Sequence, residues 1–213
     1  DGHEVNLFNR SPKPIRMILA NGGIEVSGAR EGFAKLKKAT TNIKEAIKDV
    51  RVIMVVVPAF GHRYMIEQCA PYLEDGQIIV FNPGTFGALE CANILREKGI
   101  KKNVVIAETE SLIYATRVIE PANVRIDAKK KEVRFSALPS KDTEDALEIV
   151  NELYPQFVPA TNVLDTSINN INYILHPCST IFNASRIEEL GSYKLSHYAV
   201  TPSIARIMEE VDR

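Results

Sequence analysis

The stretch Val52-Ile53-Met54-Val55-Val56-Val57-Pro58 is the clearest indicator of fold class in this chain. Its apolar residues show no polar alternation, which is typical of a parallel strand covered on both faces, and the proline ends the strand. The stretch Gln77-Ile78-Ile79-Val80-Phe81 repeats the pattern and runs into the turn sequence Asn82-Pro83-Gly84. Buried strands of this kind need helices on both faces of their sheet, so we predict an α/β fold.

Helical and strand-like segments alternate around these two stretches. Asn42 with Glu45 three residues later is an N-capping pattern, which predicts a short helix there. The same reading predicts helices over 14–20, 43–48, 64–73, 88–98 and 141–154, and strands over 52–57, 77–81, 103–107, 157–158 and 162–164. Hairpins are predicted over 23–36 and 124–137, the second extending the main sheet. This order indicates a doubly wound, mainly parallel sheet.

The loops after the predicted strands are the expected location of a ligand. In open α/β sheets ligands bind beyond the carboxyl ends of the strands, because the loops there converge on one edge. We therefore expect four loops to line one crevice, namely 9–11, 58–60, 82–86 and 108–111. In the last two loops Thr85 and Thr109 are candidates to hold a substrate oxygen, although each could instead cap the following helix.

The first predicted strand ends in the turn Asn9-Arg10-Ser11, which contains no acidic residue. This resembles the second strand of a Rossmann fold, where an acid holds the ribose 2′-hydroxyl of NAD and an arginine accommodates the 2′-phosphate of NADP. The turn therefore favours NADP over NAD. A merely solvated turn is the alternative interpretation.

Composition limits the remaining possibilities. The chain has 213 residues, 45% hydrophobic and 25% charged, with a net charge of −1, which gives no reason to expect nucleic-acid or membrane partners. Cys69, Cys91 and Cys178 show no paired spacing, so we expect neither disulfides nor a zinc site. No long apolar run or leader pattern is present, and a cytoplasmic location is the default expectation.

From about Asp165 the chain shows only helical periodicity, so we predict a first domain over 1–164 and the start of a helical domain over 165–213. In the second part Asn169, Asn172 and His176 have the spacing i, i+3, i+7, which would place them on one helix face. Pro177 disfavours helical geometry at His176 and predicts a kink or break there. We expect this polar face to meet the crevice between the two domains.

Both ends of the chain have the character of interrupted elements. Residues 209–213 continue a helical pattern without a cap or breaker, and no G-x-G-x-x-G sequence occurs in the 213 residues. A dinucleotide fold needs a first strand and a Gly-rich turn for the pyrophosphate. We therefore expect the sequence to be a fragment of a longer protein.

With these segments in place, the chain resembles the NAD/NADP octopine/nopaline (opine) dehydrogenase family along nearly its whole length. The similar segments are Val57-Pro58-Ala59, Asp75-Gly76-Gln77, Asn82-Pro83-Gly84, Gly87-Ala88-Leu89-Glu90, Glu108-Thr109 with Tyr114 and Arg117, Ala137-Leu138-Pro139, Asn172 with Ile174-Leu175-His176-Pro177, and Thr201-Pro202-Ser203. The resemblance implies a Rossmann-type domain followed by an all-helical domain like the C-terminal domain of 6-phosphogluconate dehydrogenase.

The resemblance also implies an activity. Members of the family join an amino acid to an α-keto acid and reduce the imine with NADH or NADPH, which implies these small molecules as partners. It implies His176 as the catalytic acid/base, oriented in the family by a downstream aspartate that we cannot assign in this chain. Substrate-binding candidates are Asn172, Thr109, Thr85 and Arg117, the last of which could instead form a structural salt bridge. Cofactor-binding candidates are Asn9, Arg10, Ser11, Val57, Pro58, Ala59, Asn82, Pro83 and Gly84.

Two alternatives from other classes stay open. A keto-acid reductase of the ketopantoate or glycerol-3-phosphate dehydrogenase type shares the fold but usually depends on a catalytic lysine. Lys194, the only lysine of the helical part, lacks a matching asparagine spacing, whereas Asn172 and His176 are present. The second alternative is a non-catalytic module that kept the dinucleotide fold for binding or for homodimer formation.

Overall fold

The computed structural model describes residues 2–190 and 199–213, so that Lys194 lies outside the described residues. The chain divides into two compact units, the first ending at Ile168 and the second beginning at Asn169. The predicted boundary at residue 164 falls within the last helix of the first unit. The functions predicted for the two parts stay predictions at this point.

The first unit contains the strands and most of the helices. Its strands are β1 (Asn6–Phe8), β2 (Ile24–Gly28), β3 (Gly32–Ala34), β4 (Lys38–Thr40), β5 (Val52–Val55), β6 (Ile78–Phe81), β7 (Val105–Thr109), β8 (Tyr114–Glu120), β9 (Asn123–Lys129), β10 (Val133–Leu138) and β11 (Phe157–Pro159). Its helices are α1 (Pro12–Asn21), α2 (Ile43–Ile47), α3 (His62–Cys69), α4 (Gly87–Glu97), α5 (Thr143–Asn151) and α6 (Val163–Ile168).

The main sheet has five strands in the order β11-β10-β7-β6-β5. Strands β5, β6 and β7 run parallel, with Val52 opposite Ile78 and Ile78 opposite Val105. Both faces of β6 are covered, since Val80 and Phe81 are each 0% exposed. Because apolar side chains point to both faces of this strand, helices must cover both faces, and the predicted α/β fold is confirmed.

Two smaller sheets accompany the main sheet. Strands β1 and β4 pair in parallel, with Leu7 opposite Ala39. A four-stranded sheet has the order β3-β2-β9-β8, and its β2-β3 pair is the hairpin predicted over residues 23–36.

The hairpin predicted over residues 124–137 is wrong. Strand β9 belongs to the four-stranded sheet, whereas β10 joins the main sheet between β7 and β11. In β10 the apolar residues Val133, Phe135 and Ala137 are all 0% exposed, so this strand requires a covered position in a sheet. Most residues of β9 are exposed, so β9 has no such requirement. The link between β9 and β10 is held in place by Lys130. Its backbone N–H donates to the carbonyl of Ile113, and its Nζ lies 2.6 Å from the Ser111 hydroxyl.

The strand predicted over residues 162–164 is also wrong. This segment begins helix α6, and the Asn162 side chain accepts hydrogen bonds from the backbone N–H groups of Leu164 at 2.9 Å and Asp165 at 3.1 Å. An asparagine that caps in this way satisfies N–H groups that the first helical turn leaves free. Capping by an asparagine side chain was predicted correctly for α2, where the Asn42 side chain accepts from the N–H of Lys44.

The second unit is helical in its described residues. It contains α7 (Asn172–Ile181), α8 (Ala184–Leu190) and α9 (Pro202–Val211). The side chain of Thr201 caps α9 by accepting from the N–H of Ile204 at 3.4 Å. Within residues 2–190 and 199–213, no helix combines the length and apolar character that a membrane span requires.

Candidate functional site

The loops after β5, β6 and β7 are joined by backbone hydrogen bonds. The N–H of Asn82 donates to the carbonyl of Val55 at 3.0 Å, and the N–H of Gly84 donates to the carbonyl of Thr109 at 2.7 Å. The carboxyl ends of the three parallel strands therefore form one continuous edge. This is the edge at which the sequence predicted a crevice.

The loop from Asn82 to Phe86 has an unusual backbone. Thr85 has φ 49° and Phe86 has φ 64°, and both values lie in the left-handed region that residues other than glycine rarely adopt. A hydrogen bond from the N–H of Phe86 to the hydroxyl of Ser167, at 2.8 Å, holds this conformation. Asn82 is 4% exposed, and its side-chain oxygen has no hydrogen-bond partner within the described part of the chain. A buried acceptor without a partner is costly, so Asn82 is suited to accept a bond from a ligand or a water molecule.

Glu108 lies beneath this loop and is 0% exposed. Its carboxyl group accepts hydrogen bonds from the backbone N–H of Ala88 at 3.1 Å, from the Thr166 hydroxyl at 2.8 Å and from the Ser167 hydroxyl. A Cβ added to Gly84 would lie 2.5 Å from Glu108 Cδ, so the loop backbone packs directly on the acid. One side chain thus joins β7, the start of α4, the 82–86 loop and α6.

Two observations favour a protonated Glu108. Burial raises the pKa of the Glu108 carboxyl above its ordinary value, against the opposing effect of the hydrogen bonds from Ser167, Thr166 and Ala88. The Thr166 hydroxyl has one proton but lies within hydrogen-bond distance of both Glu108 Oε1 and the Val163 carbonyl, at 2.8 and 3.0 Å. If Glu108 carries a proton, it can donate to Thr166 while Thr166 donates to Val163.

The structure uses the predicted substrate ligand Thr109 internally. Thr109 is 0% exposed, and its hydroxyl donates to the Ser111 carbonyl at 3.1 Å and lies 3.4 Å from the Phe81 carbonyl. Because the side chain is buried and its hydroxyl is bonded internally, its predicted direct contact with a substrate finds no support in the structure. Its role here is to support the end of β7.

The turn after β1 is ordered by two contacts. The Asn9 side chain accepts a hydrogen bond from the N–H of Ser11 at 2.8 Å, and the Arg10 guanidinium carbon lies 5.5 Å from the centre of the Tyr64 ring. Tyr64 belongs to α3, which follows the loop of Val57, Pro58 and Ala59. The cation–π contact therefore joins the predicted crevice loop 9–11 to the helix that follows the loop 58–60.

His62 forms part of the floor near these loops. It is 1% exposed, its ring meets the Phe81 ring edge-on at 5.0 Å, and a Cβ added to Gly87 would lie 2.8 Å from its Nδ1 atom. Burial lowers the His62 pKa, outweighing the opposite effects of Glu90 and the Val57 carbonyl, so the imidazole is neutral at pH 7.

Arg117 lies apart from the strands that carry the crevice loops. It belongs to β8 in the four-stranded sheet, is exposed, and donates to the backbone carbonyl of Thr116 at 2.8 Å. Among the described residues no acidic side chain pairs with it, so the salt-bridge alternative finds no support.

In the second unit, Asn172 and His176 lie one turn apart in α7. Asn172 is half-buried and His176 is exposed. The predicted three-residue face is wrong for Asn169, because α6 ends at Ile168 and α7 begins only at Asn172. The Asn170 side chain accepts from the N–H of Asn172 at 3.1 Å, in a turn that starts α7. A kink or a break was predicted at His176; helix α7 runs through Pro177, so the break is wrong and the kink stays a prediction.

Sequence reasoning missed Glu108 and Tyr64 as site residues. A signal for Glu108 was available, because a charged residue directly after a buried strand and inside a predicted crevice loop requires a partner. No comparable signal marks Tyr64, which is one aromatic residue in an amphipathic helix. Among the described residues, no group of three or more His, Cys, Asp or Glu side chains is arranged to hold a metal ion.

A parallel sheet whose strand-end loops are joined at one edge, followed by a helical unit, defines a Rossmann-type α/β protein with an appended helical domain. Residues 159–213 match the family described as NAD/NADP octopine/nopaline dehydrogenase, alpha-helical domain. An opine dehydrogenase from Arthrobacter sp. (strain 1C) is 37% identical over 213 residues, 99% of this chain and 59% of the relative. Another, from Haliotis discus hannai, is 27% identical over 170 residues, 76% of this chain and 41% of the relative. By these matches the chain is similar to the opine dehydrogenase family along nearly its whole length.

Solved structures agree with this similarity. An octopine dehydrogenase in complex with NADH and agmatine is 25% identical, with a TM-score of 0.69 over 86% of this chain and 48% of that protein. A yersinopine dehydrogenase with bound NADP+ has a TM-score of 0.63 at 16% identity, over 84% of this chain and 46% of that one. A ketopantoate reductase from Ralstonia eutropha JMP134 has a TM-score of 0.63 at 16% identity, over 99% of this chain and 64% of that one. The last two likenesses show the fold alone. The chain spans little more than half the length of the Arthrobacter relative.

Proposed function

We propose that the protein is an NAD(P)H-dependent oxidoreductase of the opine dehydrogenase type, which reduces the imine formed between an amino acid and an α-keto acid. The observation that carries the proposal is the 37% identity to an opine dehydrogenase along 99% of the chain. The octopine dehydrogenase structure with NADH and agmatine supports the same cofactor type and an amino-group substrate. The proposal includes a cytoplasmic location and a homodimer, the latter open to measurement by light scattering.

The residues of the first unit fit one end of a nicotinamide dinucleotide. Arg10 is exposed, and among the described residues no carboxylate pairs with it. The first turn of α1 contains no acidic residue either. A cation on a turn free of acids suits the 2′-phosphate of NADP, with Asn9 and Ser11 as neighbouring polar groups. Val57, Pro58, Ala59, Asn82, Pro83 and Gly84 complete the proposed cofactor edge.

The chain's own contribution to the reaction is the handling of a proton and the orientation of the substrate. A bound nicotinamide dinucleotide would supply the hydride. The His176 imidazole would give a proton to the substrate nitrogen during imine reduction. We assign Asn172, one helical turn away, to holding the substrate beside His176. Thr85 and Arg117 stay candidates for a substrate carboxylate, and Thr109 acts on the site through the loop that it supports.

The deciding experiment measures NADPH oxidation by the full-length gene product with pyruvate, with and without a panel of L-amino acids, and repeats the series with NADH. We expect oxidation that depends on the amino acid, since an imine forms only when both substrates are present. Oxidation with the keto acid alone would instead support a reductase of the ketopantoate type, whose fold likeness makes it the second candidate. No oxidation and no cofactor binding would leave the non-catalytic module.

The NADP preference is tested by Arg10→Ala. Removing the guanidinium should raise the KM for NADPH about 10- to 150-fold, because a charge-assisted contact to the 2′-phosphate is worth about 1.5–3 kcal/mol, and should leave the KM for NADH unchanged. Arg16→Ala, also on α1 and exposed, is the matched control. An Arg10→Ala protein that keeps the wild-type ratio of the two KM values would remove Arg10 from the cofactor site.

A further inference from the structure

The Arg10 guanidinium is held against an aromatic ring rather than against an acid. Its central carbon lies 5.5 Å from the centre of the Tyr64 ring, within the distance of about 6 Å that defines a cation–π contact. The contact leaves the N–H groups at the rim of the guanidinium available, whereas a carboxylate partner would occupy them. Tyr64 thus holds the charged guanidinium in place without occupying the hydrogen-bond donors of Arg10.

Another arginine engages Glu67, the acid nearest in sequence to Tyr64, and Glu90 of α4. Arg63 lies 3.6 Å from a carboxylate oxygen of Glu67 and 3.1 Å from one of Glu90. These pairs use the acidic groups of α3 and of the first turn of α4. Among the described residues no carboxylate pairs with Arg10, so its positive charge is available to an anion.

The backbone that carries Arg10 is ordered as well. The N–H of Ser11 donates to the Asn9 side chain at 2.8 Å, and the N–H of Asn9 donates to the Thr40 carbonyl at 3.2 Å. The turn is thus tied to β4 on one side, and its arginine to α3 on the other. A long, flexible side chain that is already ordered loses less conformational entropy when it binds an anion.

We propose that Tyr64 is a positioning residue for cofactor selectivity: it holds Arg10 in the orientation that receives the 2′-phosphate of NADPH. This inference rests on the proposed function, since it assumes that a nicotinamide dinucleotide binds at this turn. It assigns part of the NADPH preference to a residue on a different element from the arginine itself. Removing the ring should weaken NADPH binding selectively, because NADH carries no phosphate at that position.

The test is a fluorescence titration of NADPH and NADH binding to the full-length gene product, which does not depend on turnover. Tyr64→Leu should raise the Kd for NADPH about three- to tenfold, in keeping with a cation–π contact of about 0.5–1 kcal/mol and the reordering of Arg10. The Kd for NADH should stay within about twofold, which also reports that the variant is folded. Tyr64→Phe, which keeps the ring face, should restore the wild-type Kd for NADPH.

Tyr72→Leu is the matched control, because the Tyr72 ring holds a different cation, Lys44, at 5.8 Å. It should change neither Kd. An equal weakening of both cofactors by Tyr64→Leu, or unchanged NADPH binding, would overturn the inference. Arg10→Ala distinguishes failure of the Tyr64 inference from failure of the proposed NADP site. If Arg10→Ala loses the NADPH preference while Tyr64→Leu keeps it, only the role of Tyr64 fails. If Arg10→Ala also keeps the preference, the proposed NADP site itself fails.

Discussion

His176→Ala lowers kcat for amino-acid-dependent NADPH oxidation by about 10²- to 10⁴-fold, the range expected when a positioned proton donor is removed. We expect this because the imine nitrogen must receive a proton as the hydride arrives, and alanine has none to give. His176 is exposed on α7, so the substitution should have little effect on stability. The measurement is steady-state kcat together with far-UV circular dichroism.

The pH profile separates a chemical role from a structural one. Wild-type kcat should depend on the protonation of the side chain that gives the proton, and this pH dependence should disappear in His176→Gln, which keeps a polar side chain of similar size. His3→Ala, at an exposed position near the other end of the chain, is the matched control and should match wild type in kcat. Wild-type kcat in His176→Ala would end the acid/base proposal.

Glu108→Ala should lower the free energy of unfolding by about 3 kcal/mol, the second large effect that we expect. The substitution leaves the N–H of Ala88 and the hydroxyls of Thr166 and Ser167 without their buried partner, and it opens a cavity beneath the 82–86 loop. Glu108→Gln should lose no more than about 1 kcal/mol, because the amide oxygen can accept from the N–H of Ala88 while the two amide N–H groups donate to the hydroxyls of Thr166 and Ser167. Urea denaturation followed by circular dichroism measures both variants.

The raised pKa of Glu108 makes part of the stability depend on pH. The folded state binds the Glu108 proton more tightly than the unfolded state, so this contribution is fully present below the ordinary glutamate pKa and is lost as pH rises through the folded pKa. Unfolding free energy should therefore fall with rising pH above about 4.5 in the wild type. Glu108→Gln should remove this slope. Glu110→Gln, two residues away and only partly buried, is the control and should keep it. A slope that survives in Glu108→Gln would assign the pH dependence to another group.

Several elements could be predicted because their determinants are local. The uninterrupted apolar stretches over 52–57 and 77–81 are strands β5 and β6, although β5 ends earlier, at Val55. The capping pattern at Asn42 and Glu45 was sufficient to place α2. Turn sequences between the strands identified the edge at which the loops converge, because the carboxyl ends of parallel strands lie on the same side of a sheet.

Other elements could not be predicted, because their determinants are distant in sequence. Strands β9 and β10 are neighbours in the chain and both have strand character, but they join different sheets. That choice depends on how much of each strand is covered by the rest of the fold. Asn162 can end a strand or cap a helix, and only the tertiary contacts of α6, including those from Thr166 and Ser167 to Glu108, select the helix.

The amino-acid sequence was sufficient for the α/β class, the order of the main strands, the edge that carries the candidate site and the residues Arg10, Asn172 and His176 as candidates. These follow from local pattern, from short-range spacing and from resemblance to a family. Tertiary structure alone showed that Glu108 joins four elements as a buried acid and that Thr109 is buried with its hydroxyl bonded internally. It also showed that Tyr64 lies in cation–π contact with Arg10. Each of these depends on contacts between segments that lie tens of residues apart, since burial and charge are properties of the folded neighbourhood rather than of the residue.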